Sequence, residues 1–169
     1  MSNVQFIQDF PLWPGLKPAI PMIVAQGTTQ TSEAGSATTK DIAGSLVTVP
    51  KGYFEPGTTF KFTLAGTRSG TAGATTLLIA IGSTTVISIA CPANTAVDWM
   101  AEFWITEHTN LKMQRCFGRF LMETEDAAVD YADGTVDVSN EVVIKARMTN
   151  ASNSDVSYCN FVMVECWKF

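Results

Sequence analysis

The sequence predicts an all-β fold: a single eight-stranded antiparallel jelly-roll sandwich over residues 36–169, preceded by an extended N-terminal arm over residues 1–35. Three observations predict it. From residue 46 onward, apolar and polar residues alternate with a period of two. Glycine, proline and Ser/Thr/Asn clusters interrupt that alternation at short intervals. No stretch sustains the apolar period of a long helix. Many short strands with turns between them can cover their apolar faces by packing one sheet on another, and eight strands in two facing sheets make a jelly roll.

The arm comes first. Pro11, Pro14, Pro18 and Pro21 fall within eleven residues, and Phe6, Phe10, Leu12, Trp13 and Leu16 interleave with them. Proline removes a backbone donor, so this segment fits neither a helix interior nor a sheet interior. Its aromatic residues still gain from burial, which predicts an extended arm laid over its own surface or a neighbour's. Residues 27–45 are small and polar and read as a loop or a loosely packed edge.

The strands follow. Residues 46–49 form a strand that Pro50 ends. Phe60, Phe62 and Leu64 share one face of the next strand, with Lys61, Thr63 and Ala65 on the other, and residues 66–73 read as a turn. Leu77, Ile79 and Ile81 alternate with Leu78 and Ala80, and Gly82-Ser83 then turns the chain into a returning strand that stops at Pro92. In residues 98–108, Trp99, Ala101, Phe103 and Ile105 oppose Met100, Glu102, Trp104 and Thr106. After a turn at Thr109-Asn110, Arg115, Phe117 and Arg119 oppose Cys116, Phe120 and Met122. Residues 123–141 read as an acidic loop, with seven acids and no Lys or Arg. Two further strands, 142–148 and 156–167, close the chain.

Composition narrows the function. Charged residues make up 16% of the chain, below the usual quarter or so, which fits a surface partly covered by subunit contacts. Net charge is −5 and there is no basic stripe, so binding to nucleic acid through phosphates is disfavoured. No run of about 18 apolar residues predicts a membrane helix, and the first fifteen residues lack the pattern of a secretory signal. Cys91, Cys116, Cys159 and Cys166 lack metal-ligand spacing and read as reduced, buried small hydrophobes. Cys159 and Cys166 lie an odd interval apart, which predicts opposite faces of one strand.

Candidate chemistry is sparse. His108 is the one histidine, and no motif supplies it with a nucleophile and an orienting acid. Asp130, Asp133 and Asp137 flank Gly134 without the order of an EF-hand loop, so a solvated acidic loop is the expectation. Glycines 66, 70 and 73 precede no helix and are turn residues rather than a phosphate cradle. Trp99, Trp104 and Trp167 form a possible sugar-stacking set. Trp99 falls on the apolar face, so Trp104 and Trp167 have the stronger claim to an interface. The residues expected to bind a partner are therefore Phe6, Phe10, Trp13, Leu16, Trp104 and Trp167. No catalytic, metal or cofactor site is expected.

The order of segments adds a resemblance. TVPKGYFEPGTTFKFTLAGTRSGTAG is followed by TTLLIAIGSTTVIS, then by the tryptophan-bearing DWMAEFWIT, then by LKMQRCFGRFLM, and the chain closes with EVVIKARMTNASNSDVSYCNFVMVE. Over residues 45–169 this resembles structural proteins of tailed-bacteriophage virions that carry a β-sandwich domain. The resemblance implies a non-enzymatic virion component, of the capsid-decoration, head-fibre or tail-associated type, assembled in the host cytoplasm. A capsid decoration protein that docks on the head shell as a homotrimer is the leading expectation, with the major capsid protein or other virion proteins as partners. A tail-fibre or receptor-binding module recognising a host glycan is the alternative.

Overall fold

The structure is a computed structural model. It describes residues 22–34, 39–69, 75–91, 96–109, 111–122, 128–150 and 156–168; Phe6, Phe10, Trp13 and Leu16 lie outside the described residues.

The described residues form twelve strands and no helix. They are β1 (Met22–Gly27), β2 (Thr31–Ala34), β3 (Lys40–Asp41), β4 (Val47–Val49), β5 (Thr59–Ser69), β6 (Thr75–Ile81), β7 (Thr84–Cys91), β8 (Ala96–Glu107), β9 (Gln114–Met122), β10 (Ala128–Gly134), β11 (Val142–Asn150) and β12 (Val156–Trp167). All pairings are antiparallel. One sheet runs β1-β12-β5-β8-β9-β10, with β2 also on β12; the other runs β3-β11-β6-β7, with β4 also on β11.

The pairings are nested. β1 pairs β12, β4 pairs β11, β5 pairs β8 and β6 pairs β7, while β12–β5 and β11–β6 join the pairs into two sheets. That is the connectivity of an eight-stranded jelly roll. The predicted all-β sandwich is therefore present, with more strands than eight. Short β2 and β3 accompany the roll, and β9 with β10 widens one sheet beyond it.

Period-two patterning places the core. Phe60, Phe62, Leu64, Phe103, Ile105 and Val164 from the wider sheet meet Leu77, Ile79, Ile81, Ile144, Ala146 and Met148 from the other, all fully buried. Burying each such side chain contributes roughly 1.5–3 kcal/mol before conformational entropy is counted. At one end, Thr75 on β6, Asn150 on β11 and Ser157 on β12 pin the sheets together. The Thr75 and Ser157 hydroxyls donate to the Asn150 side-chain Oδ1 at 2.8 and 2.7 Å, so these buried polar groups are satisfied inside the sandwich.

Four sequence expectations change. Residues 22–27 and 31–34, read as arm and loop, are strands on β12. Residues 66–69, read as a turn, continue β5. The acidic segment contains an edge strand, β10, because Val129, Tyr131 and Asp133 alternate with inward-leaning Ala128 and Ala132 beside β9. Cys159 and Cys166 both face the core. A register shift between Cys159 and Phe161 inserts one extra residue in β12, which inverts the side-chain phase. Desolvation pushes these thiols up to about 11, and that of Cys116 up to about 12.

Candidate functional site

The outer face of the wider sheet concentrates the distinctive side chains. Inward residues of β8 and β9 are buried, so the intervening positions point away from the core. Register then aligns them: Lys61 on β5 opposes Trp104 on β8, Trp104 opposes Phe117 on β9, and Phe117 opposes Tyr131 on β10. Three aromatic rings form a ladder along this row. The Trp104 and Phe117 centroids are 5.0 Å apart and those of Phe117 and Tyr131 4.9 Å apart, both tilted. Such cross-strand aromatic pairs each contribute about 0.5–1.5 kcal/mol beyond burial.

The two ends of the ladder differ. At Trp104, Lys61 Nζ lies 5.2 Å from the ring centroid and Arg119 Cζ 5.7 Å from it, so cations cover the indole. At Tyr131, which is 74% exposed, no cation among the described residues covers the ring. Val129 on the same face of β10 is 52% exposed. β10 is also the outermost strand of its sheet.

Glu102 anchors the covered end. Its carboxylate accepts from Lys61 Nζ at 2.7 Å through one oxygen and from Arg119 through the other, and the residue is 6% exposed. Burial pushes this carboxyl up, but the hydrogen bonds and charges of Lys61 and Arg119 outweigh it and hold the group below the ordinary glutamate value of 4.5. A depressed folded value means that the stabilisation is fully present above the unfolded value and disappears as pH falls through the folded one. Glu102→Gln should therefore flatten part of the acid limb of thermal stability below about pH 4.5. Melting temperatures from pH 6 to pH 2.5 test this; an acid limb identical in both proteins would contradict the clamp.

The sequence-predicted residues fall as follows. Trp104 is in the ladder. Trp167 is half-buried on the same outer face of β12, in the row of Thr59, Thr106 and Arg115. β5 separates it from β8, so the two tryptophans share a face without forming one platform. Trp99 is buried and stacks on Phe120 at 5.8 Å, as its place on the apolar face implies. Phe117 and Tyr131 were missed, because their alignment with Trp104 depends on the register of a sheet edge. His108 caps the end of β8, its backbone N–H donating to Met113 O at 2.9 Å. Asp137 accepts from Ser139 N–H and pairs with Lys112 at 3.4 Å, while Asp130 accepts from the Tyr131 N–H at 2.9 Å. Among the described residues, no three His, Cys, Asp or Glu side chains gather as metal ligands.

Neither the family models nor the curated proteins include a match to this chain. Among solved structures it is similar to one described as "Lectin UEA-II complexed with galactose", with a TM-score of 0.43 and 9% identity, covering 88% of this chain and 92% of that chain. A likeness of that size shows no shared ligand.

Proposed function

We propose that this chain is a structural protein of a bacteriophage virion, a capsid decoration protein that docks on the head shell and stabilises it. The observation that carries this reading is the aromatic ladder, which ends in an exposed Tyr131 on the outermost strand of a jelly-roll sheet. An apolar surface of this kind on a rigid sandwich is suited to contact with another protein. The resemblance over residues 45–169 points to the same class of virion protein. Modest contacts of this kind gain strength when repeated over many copies on a lattice. The partners are the major capsid protein or other virion proteins, and the assembled unit is a homotrimer.

The test is cosedimentation of the purified protein with expanded, undecorated phage heads. The expected result is saturation at a fixed copy ratio and a higher temperature of head disruption. Failure to bind heads at micromolar protein would overturn the reading.

A second reading draws on Tyr131 alone. An open ring of this exposure can stack on a sugar face, which suits a module that binds host surface glycans. Binding to host cells that free glycan competes away, with no binding to heads, would favour it.

A further inference from the structure

We infer that the outer face of β9 and β10 is a contact between two copies of this chain, related by a two-fold axis that runs along the strands midway between β9 and β10. The inference goes beyond the virion reading and does not depend on it.

The register makes this face self-complementary. β9 presents Arg115, Phe117 and Arg119 on it, and β10 presents Asp133, Tyr131 and Val129 directly opposite them, in that order. Neighbouring strands lie about 4.8 Å apart and packed sheets about 10 Å apart. A two-fold axis in the plane of contact and parallel to the strands therefore sets β9 of each copy over β10 of the other, with no shift along the strand. Arg115 then meets Asp133 of the second copy, Phe117 meets its Tyr131, and Arg119 meets its Val129. Each contact occurs twice, as an isologous interface requires.

Charge complementarity identifies a second copy as the occupant. Arg115 and Asp133 are both exposed, and among the described residues neither takes part in an ion pair. Arg119, by contrast, is bound to Glu102 and drawn over Trp104, so it brings no unmatched charge to the face. An exposed pair gains little within one chain, which leaves both charges available. Between two copies the rings beside them exclude water, and the charges fix the register of the contact. The patch offers a cation and an anion side by side at the end of an aromatic row, and its own copy turned over answers both.

The apolar part fits the same arrangement. Tyr131 is 74% and Val129 52% exposed, and Phe117 already packs against Tyr131 within the chain. A second copy laid over them turns this pair of rings into a cluster of four. β10 is held firmly enough to present these side chains, because it packs against β7 of the other sheet. The patch is two strands wide, which places the contact among small, transient interfaces that gain strength by repetition. Combined with the proposed homotrimer, it would join one trimer to the next.

The test uses Arg115→Asp and Asp133→Arg in the full-length protein and sedimentation equilibrium from micromolar to millimolar concentration. The wild-type protein should associate in pairs. Each variant alone should weaken that association at least about tenfold, with its melting temperature unchanged, because like charges then face each other across the two-fold axis. Mixed in equal amounts, the two variants should regain the association, since one copy then presents two carboxylates and the other two guanidinium groups. No rearrangement within a single chain produces that recovery. Absence of pairing in the wild-type protein, variants that associate as it does, or a mixture that fails to recover would each overturn the inference. Loss of head binding by the variants, without self-association of the wild type, would assign the face to the shell protein and overturn it too. Sedimentation of the isolated protein involves no heads, so its failure leaves the virion reading to the cosedimentation result.

Discussion

Gly66→Ala is expected to destabilise the sandwich by about 4 kcal/mol or more, a large part of the stability of a domain this size. A Cβ built at Gly66 would lie 1.8 Å from the Tyr158 carbonyl oxygen and 2.7 Å from Trp99 Cζ2. The first neighbour is backbone and cannot rotate away. The cause is the bulge in β12: the register slips between Cys159 and Phe161, directly opposite Gly66 and Ala65, and bends the β12 backbone against β5. β5 and β12 are adjacent interior strands of the wider sheet, so relief of the clash must separate strands that bury Phe60, Phe62, Leu64, Val162 and Val164 in the core. Urea or thermal unfolding measures the effect. A suitable control is Gly82→Ala in the β6–β7 turn, where a Cβ meets nothing within 4 Å and the penalty arises from φ of +61° alone. The control should cost about 1 kcal/mol. Comparable losses at both sites would contradict the close approach at Gly66.

Phe103→Ala is the second large effect, at about 3–5 kcal/mol. Phe103 is fully buried between the sheets, and its ring occupies the space that Gly118 leaves open on β9. A Cβ at Gly118 would lie 2.6 Å from Ile89 Cδ1 and 2.8 Å from Phe103 Cδ1. The wide ring and the missing side chain are therefore one packing solution. Gly118→Ala alone should destabilise by about 1–3 kcal/mol through overpacking. In a Phe103→Leu background the clash with the ring is relieved, so the double mutant should be more stable than the sum of the single losses allows. Strict additivity would show that the two positions do not share the same space.

Much of this fold is legible in the chain because period-two patterning reports faces directly. The inward sets of β5, β6, β8 and β11 follow from alternation alone, as does the outward direction of Trp104. Three features are hidden for physical reasons. A bulge changes parity without changing composition, so Cys159 and Cys166 cannot be assigned to one face by counting. β10 is a short edge strand of small and acidic residues, with Asp130 and Asp133 among its seven, and such a strand has the composition of a loop. The ladder depends on which residue of β9 lies opposite Trp104, and that register is a property of pairing between strands rather than of any one segment. Tyr131, the residue that leaves the ladder open, is therefore visible only after β10 is paired.

The central claim is that the outer face of β8, β9 and β10 is a contact surface. Hydroxyl-radical footprinting of Tyr131 and Val129 tests it most directly, comparing dilute isolated protein with its fully assembled state. The account predicts ready oxidation of both residues in the dilute chain and at least several-fold protection after assembly. Equal oxidation in the two states would mean that this face meets only solvent, and the claim would fail.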